Sequence, residues 1–273
     1  MKILLTNYTM DVLLGSALST YENARVLKKL GHDVTVICGV GGWSGNEIQQ
    51  KLEAIGVKCS YEYEKSYDLI LCSHFCPDVE GFKIQIVRGI TPYEKPLPKM
   101  DVYSCIRPDV YDHILTEYNV PSERAVIIYN GVDRDRFRPG PKNVRAFTKM
   151  VAPCDVDSLR YEWLKMLVSI TNKERRLYIY TKETDFKLPK SEWVYYKKPT
   201  FYMEHVIADA DVVVGIYLGR VQLEARSCGV NSIIYDPYTF AAEPFEIDDV
   251  TFDDLHNIDN VVKRFLQLYE NRH

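Results

Sequence analysis

Three segments carry residue types at spacings able to do chemistry. In Gly219-Arg220-Val-Gln-Leu-Glu224-Ala-Arg-Ser-Cys228-Gly229, a valine-rich run meets a glycine, and an arginine opens what reads as a helix. A helix N-terminus offers free backbone N–H groups and a positive dipole end to an anion, and an arginine there adds a bidentate charge. Glu224 stands four residues beyond Arg220, on the same helical face. That spacing supports two readings. One is a surface ion pair worth about 0.3–0.5 kcal/mol; in the other, Arg220 holds a phosphate and Glu224 accepts hydrogen bonds from ribose hydroxyls. The second segment is Asn130-Gly131-Val132-Asp133, with Phe137 and Pro139 shortly after it. Asn-Gly permits a tight turn and Asp caps the residues after it, so turn chemistry alone makes this a loop. The third is Leu13-Leu14-Gly15-Ser16, with Gly31-His32-Asp33-Val34 fifteen residues on. Gly15 ends the first strand–helix turn, where backbone approaches a phosphate or sugar closely. Neither a GxGxxG dinucleotide fingerprint nor a GxxxxGK[ST] phosphate loop is present.

Short apolar runs alternating with amphipathic stretches must position these residues. Strands are expected at 2–8, 33–39, 57–63, 67–73, 82–89, 102–105 and 125–129, with helices at 16–30, 47–55 and 109–118. Arg138-Pro-Gly-Pro141 breaks the rhythm and reads as a linker. Beyond it, strands are expected at 148–154, 176–182, 192–198, 211–217 and 231–237, and helices at 156–171, 202–210, 221–228 and 257–269. Strands separated by helices point to parallel sheets. The expectation is two doubly wound, Rossmann-like α/β domains, 1–139 and 140–256, the second unusually small, with the helix at 257–273 packing back on the first. Ligands in such folds sit beyond the carboxyl ends of the strands, here in a cleft between the domains.

The 273 residues are 46% apolar and 26% charged, an ordinary globular balance that excludes disorder, collagen and coiled coil. A net charge of −4 gives no global basic field for nucleic acid. No run approaches the ~20 apolar residues of a membrane helix, and no signal-peptide pattern opens the chain. Seven cysteines, an odd number, read as reduced thiols of a soluble cytoplasmic protein. Cys72-Ser-His74-Phe-Cys76 has no second Cys/His pair at zinc spacing, so no metal site is expected. Tyr61 and Tyr63 alternate as in a half-buried strand. Arg134, Arg136 and Arg138 form a basic comb that reads as a solvated face or an anionic path. The proline-rich stretch at 91–98 reads as an ordered connection without helix, and Glu243 with Glu246 is weighed and set aside as a glycosidase pair.

Taken together, GS…GHDVTVICG, YDLILCSHF, VPSERAVIIYNGVDRDRF and LEARSCGVNSIIYD resemble the retaining nucleotide-sugar glycosyltransferases of the GT-B fold, in their large fourth family. Their order and spacing span most of residues 1–240. The resemblance implies a hexosyltransferase-like enzyme whose C-terminal domain holds a nucleoside-diphosphate sugar as donor substrate, with no cofactor and no obligatory metal. It implies nucleotide-sugar contacts from Gly15, Asn130, Gly131, Gly219, Arg220 and Glu224. Glu224 matches the second of two glutamates the family keeps; the first falls on Ile216. The family's Arg and Lys after the first strand of the second domain are absent from Ala152-Pro-Cys-Asp-Val-Asp157, leaving Arg160 and Lys165 as substitutes. A histidine common before a glycine in the acceptor domain is Arg88 here, with His74 the nearest alternative or a core histidine. Arg220, Arg88 and His74 are thus the expected catalytic residues. Catalysis would be electrostatic stabilisation of the leaving diphosphate. The acceptor stays open among a glycan, a lipid-linked sugar and nucleic acid. So do a binding protein without turnover and a sugar-nucleotide epimerase.

Overall fold

The computed structural model describes residues 1–272 apart from 11, 12, 14, 40–42, 44, 159 and 183–186; Leu14 of the third segment is thus outside the described residues. The chain forms two compact units, residues 1–131 with 250–273, and residues 132–249.

The first unit runs β1 (Lys2–Asn7), α1 (Gly15–Lys29), β2 (Asp33–Cys38), α2 (Glu47–Ala54), β3 (Lys58–Ser60), β4 (Ser66–Cys72), β5 (Glu80–Val87), β6 (Val102–Cys105), α3 (Pro108–Glu117) and β7 (Ala125–Ile127). Its seven strands lie in the order β3-β2-β1-β4-β5-β6-β7, every pair parallel. Ile3, Leu4, Leu5, Leu69, Ile70 and Leu71 are buried on both faces, the near-continuous apolar strands a covered parallel sheet requires. Helix α1 ends in Lys28 and Lys29, cations suited to its negative end, and Gly31 at φ +85° takes the left-handed turn after it. Pro108 opens α3, where its missing N–H costs nothing. The strand expected at 57–63 stops at Ser60. Tyr61 and Tyr63 lie beyond it and are exposed rather than half-buried. The Tyr61 hydroxyl instead accepts from the Trp43 backbone N–H and donates to the Trp43 carbonyl.

The second unit runs β8 (Thr148–Pro153), α4 (Tyr161–Ser169), β9 (Arg175–Tyr180), β10 (Val194–Lys197), α5 (Met203–Ala208), β11 (Val212–Ile216), α6 (Arg220–Ser227), β12 (Asn231–Tyr235) and β13 (Ala242–Pro244). The order is β10-β9-β8-β11-β12-β13, parallel except for β13. Helix α4 starts five residues later than expected because Asp157 accepts from the Arg160 backbone N–H and turns the chain first. Strand β13 was not expected, and its Pro244 is tolerated only at an edge. Glu243 and Glu246 are exposed there. The segment expected as a linker is part of this unit. Phe137 is buried, its carbonyl accepts from the Ser227 hydroxyl, and a Cβ on Gly140 would lie 3.2 Å from Ala208. Arg136 is not solvated either: it pairs with Glu204 at 2.9 Å and lies 4.2 Å over the Phe201 ring. A second ion cluster closes the unit. Asp209 accepts from Lys149 at 2.7 Å, Arg145 at 2.8 Å and the Asn143 side chain at 2.8 Å.

The chain then returns to the first unit as α7 (Asp249–His256), which was not expected, and α8 (Ile258–Glu270). Ile258, Val261, Val262 and Phe265 form the buried stripe of α8, which packs on α1.

This packing has two measurable consequences. A Cβ on Gly131 would meet the Ile258 Cα at 2.8 Å and its Cδ1 at 2.6 Å, so Gly131→Ala costs about 1–3 kcal/mol, read as a fall in Tm without added ligand. Burial opposes the charge on Asp209, but hydrogen bonds from Lys149, Arg145 and the Asn143 backbone outweigh it and hold the carboxyl well below the usual range. A depressed carboxyl stabilises the fold above its unfolded value and loses that contribution as pH falls through the folded value. Asp209→Asn therefore costs about 1–2 kcal/mol at neutral pH. The Tm gap to the native chain closes as pH falls below about 4.

Candidate functional site

Both sheets place their chemistry at the carboxyl ends of the strands beside a topological switch point, where chain order reverses: β8/β11 in the second unit, β1/β4 in the first.

In the second unit, β11 ends at Ile216, Tyr217 takes φ +57°, and Gly219 caps α6. A non-glycine residue in the left-handed region is uncommon and marks a sharply specified turn. The Gly219 backbone N–H donates to Gln222 Oε1 at 2.9 Å. That side chain folds back so far that a Cβ on Gly215 would lie 2.1 Å from Gln222 Nε2. Gly215 is thus what lets the first turn of α6 close onto the strand. It is a site residue that reasoning from motifs missed, signalled by one glycine inside a run of valines. Arg220 Nε donates to Glu224 Oε1, and the two side chains are 9% and 6% exposed. The surface-pair estimate therefore does not apply. Removing one partner of a pair this buried costs about 3–5 kcal/mol.

The cation substitutes separate. Arg160 precedes α4 and pairs with Asp157. Lys165 pairs with Glu162 at 2.9 Å and lines a shallow cleft of about 550 Å³ with Ser169, Lys190 and Trp193. That cleft lies where α4 ends and β10 begins, at the opposite end of the sheet from Gly219. Ile216 packs against the apolar cluster of Trp163, Leu164 and Val214.

In the first unit, Gly15 opens α1, and open space surrounds the position where a Cβ would stand. Among the described residues nothing within 4 Å of that position requires glycine there. Beside it, Thr20 donates its hydroxyl to the Ser16 carbonyl and accepts from Asn7 Nδ2 at 3.2 Å. That fixes the Asn7 amide, so Oδ1 faces His74 Nδ1 at 3.0 Å and accepts from it. His74 Nε2 meets Glu94 Oε1 at 3.1 Å, while Glu94 Oε2 accepts from the Arg88 backbone N–H at 3.0 Å. Arg88 donates from its guanidinium to the Ser73 hydroxyl. Burial disfavours the Glu94 carboxylate, but the His74 hydrogen bond, the Arg88 charge and the Arg88 N–H hold its carboxyl below the usual value. The structure thus brings His74 and Arg88 together through Glu94. Asn7 and Glu94 were missed because one reads as strand and the other as a proline-rich loop.

Asn130 and Gly131 serve packing in this unit. The Asn130 carbonyl accepts from His256 Nδ1 at 3.0 Å, and Gly131 leaves room for Ile258. Burial pushes the His256 imidazole below its ordinary value, with the Asn130 bond opposing. All seven cysteines are free thiols. Burial pushes Cys105, Cys154 and Cys228 up to about 12, which removes them as thiolate nucleophiles. No three His, Cys, Asp or Glu among the described residues are grouped to hold a metal ion. No helix among them is long and apolar enough to cross a membrane.

By sequence the chain matches no family model and no curated protein. Solved structures do match. Anabaena HepE in complex with UDP-glucose is 11% identical over 99% of both chains, with a TM-score of 0.76. A glycosyltransferase from Rickettsia africae is 12% identical over 98% of this chain and 97% of its own, at 0.70. WaaG, a glycosyltransferase involved in lipopolysaccharide biosynthesis, is 11% identical over 98% and 95%, at 0.62. At such identities the likeness is one of fold: two parallel-dominated α/β sheets, as in GT-B glycosyltransferases.

Proposed function

We propose that this chain is a glycosyltransferase that moves a sugar from a nucleoside-diphosphate sugar to an acceptor, with retention of anomeric configuration and without an obligatory metal. The observation that carries the reading is the buried Arg220–Glu224 pair at the opening of α6, beside the switch point of the second sheet. A helix N-terminus and a guanidinium at that edge suit a diphosphate, and the Glu224 carboxylate suits ribose hydroxyls. The fold shared with HepE, solved in complex with UDP-glucose, supports the same assignment. Gly15, where a Cβ would meet open space, leaves room for close approach of a ligand to the start of α1.

Cleavage of the sugar–phosphate bond leaves negative charge on the diphosphate. In this reading Arg220 and the α6 dipole stabilise it, and Arg160 lies on the loop after the neighbouring strand β8. Lys165 is engaged by Glu162 in the first turn of α4 at 2.9 Å. In this reading Arg88 and His74 of the first unit, joined through Glu94, are assigned to the acceptor. Both His74 ring nitrogens are engaged with Asn7 and Glu94, so His74 serves there as a fixed polar group held in place.

A second reading rests on Ile216, which gives apolar packing where the resembling family has a sugar-binding glutamate. It makes the protein a nucleotide binder without turnover.

Thermal shift with UDP, GDP, ADP, dTDP, CMP and their sugar conjugates tests the donor site. A nucleotide at 100 times its Kd adds about 2.7 kcal/mol, roughly 5–10 °C here, and Glu224→Ala abolishes the shift. Arg220→Ala lowers kcat for transfer by about 10²–10³, EDTA leaves the rate unchanged, and NMR of the fresh product shows the donor's anomeric configuration. A nucleotide shift without release of nucleotide from any sugar conjugate establishes the second reading; the absence of any shift rejects both.

A further inference from the structure

We propose that the second sheet binds single-stranded nucleic acid at its β10 edge, with the Tyr195 ring as the platform for a base and Arg176, Lys197 and Lys198 as the cations for its phosphates; nothing in this rests on the transferase reading. The pleat of the sheet sets the place. In β9, Arg176, Tyr178 and Tyr180 alternate with Leu177 and Ile179, which are fully buried against α4. The first three therefore share the opposite face. In register, Tyr195 lies beside Tyr178 and Lys197 beside Tyr180, so both belong to that face as well.

Across this face the side chains form a row. Lys149 of β8 stands over the Tyr178 ring, 5.2 Å from its centroid. On the β10 side Tyr178 stacks on Tyr195, with centroids 4.7 Å apart and planes 19° from parallel. That spacing is about the separation of neighbouring strands, so the rings stack from strand to strand. No strand of the sheet follows β10. The row ends at Tyr195, and a planar group beyond it continues the stack. A second row lies toward the strand starts. The Arg176 guanidinium is 3.9 Å from the Phe147 ring centroid and 5.4 Å from that of Trp193. Among the described residues no carboxylate pairs with Arg176, and its buried Nε has no hydrogen-bond partner. Phe147, Arg176, Trp193 and Tyr195 are all only partly buried. A guanidinium held between rings without a counter-ion suits a phosphate.

Charge selects the class of ligand. Residues 142–198 hold thirteen lysines and arginines against seven aspartates and glutamates, in a chain whose net charge is −4. Lys149 is engaged by Asp209. Lys197 and Lys198 are exposed, on the last residue of β10 and directly after it. Cations that track a backbone, combined with aromatic faces on which unpaired bases stack, are what single strands need. An acidic peptide or an anionic lipid surface would meet the same cations and leave the end of the ring row unused.

Fluorescence anisotropy of a labelled oligothymidylate of about 15 nucleotides, titrated with the full chain from about 50 mM salt upward, tests this. Binding is expected, weakening as salt rises. Lys197→Ala and Lys198→Ala are each expected to reduce the slope of log K against log salt by about 0.7. Tyr195→Ala weakens the oligonucleotide about tenfold, and Tyr195→Phe retains it. Both lysines are exposed, so their variants keep the native Tm and test the surface even where Tyr195→Ala lowers it. Absence of binding at low salt overturns the proposal. So does a salt slope that both lysine variants leave unchanged, which puts the strand elsewhere on the chain. Displacement of the oligonucleotide by polyglutamate at equal charge, with Tyr195→Ala binding as the native chain does, overturns it in favour of an acidic peptide.

Discussion

A parallel strand cannot be joined to its neighbour by a tight turn; the chain must cross the sheet and return before it can pair again. Everything functional in this molecule depends on that constraint. Each crossover begins at a carboxyl end, so in either unit the loops that begin helices gather along one edge. Crossovers are right-handed, and reversing the strand order at β1/β4 and at β8/β11 sends successive ones to opposite faces, which opens a crevice between their first residues. Gly15, Asn7 and His74 meet at one such edge although 67 residues separate Asn7 from His74. Gly219 and Arg220 begin a helix at the other. The amino edges carry different work: the Asp209 cluster ties the starts of β8 and β11 together and does nothing more visible than hold them.

Burial sets the cost of each charge at these edges. Arg220 and Glu224 are removed from water nearly completely, and such a pair is weak evidence for stability, since apolar residues of like volume often do as well. The same holds for Glu94, which is mostly buried and compensated by His74 and the Arg88 N–H. Within the proposed reading, these pairs are kept at the carboxyl edges for ligand chemistry rather than for the fold. The contrast lies within the molecule itself. Asp209 is surrounded by two cations and an amide, a closed arrangement with its hydrogen-bonding capacity turned inward.

The alternation of strand and helix was legible because buried parallel strands are continuous apolar runs, and most elements fall within a residue or two of their expected ends. What escaped was set by tertiary contact. Nothing local says that Tyr61 leaves its strand; its hydroxyl is recruited by Trp43, 18 residues back. Nothing local marks α7 or the three-residue β13, whose pairing partner supplies the register. In the candidate sites, Arg220 and Glu224 were legible because i,i+4 spacing on a helix is local. Glu94 was not, since its partners arrive from β4 and the end of β5. Asn130-Gly131 shows the converse. The motif was visible, but its role in holding α8 needed Ile258, far along the chain, to be in place.

Ile216 ties these lines together. As the last residue of β11 it is partly buried and packs against the apolar cluster that includes Trp163, Leu164 and Val214. In the resembling glycosyltransferases a glutamate at that place reaches the donor sugar. Exchanging a carboxylate for a branched alkyl group moves binding energy from the sugar to the protein's own core. Within the proposed reading, affinity for a donor then comes chiefly from the diphosphate at α6 and the ribose at Glu224, which every nucleoside-diphosphate sugar shares. Specificity is a difference between affinities. A site that holds the common part of its substrates tightly and the variable part loosely discriminates among nucleotides better than among sugars. Selection of the transferred sugar then falls to groups outside α6.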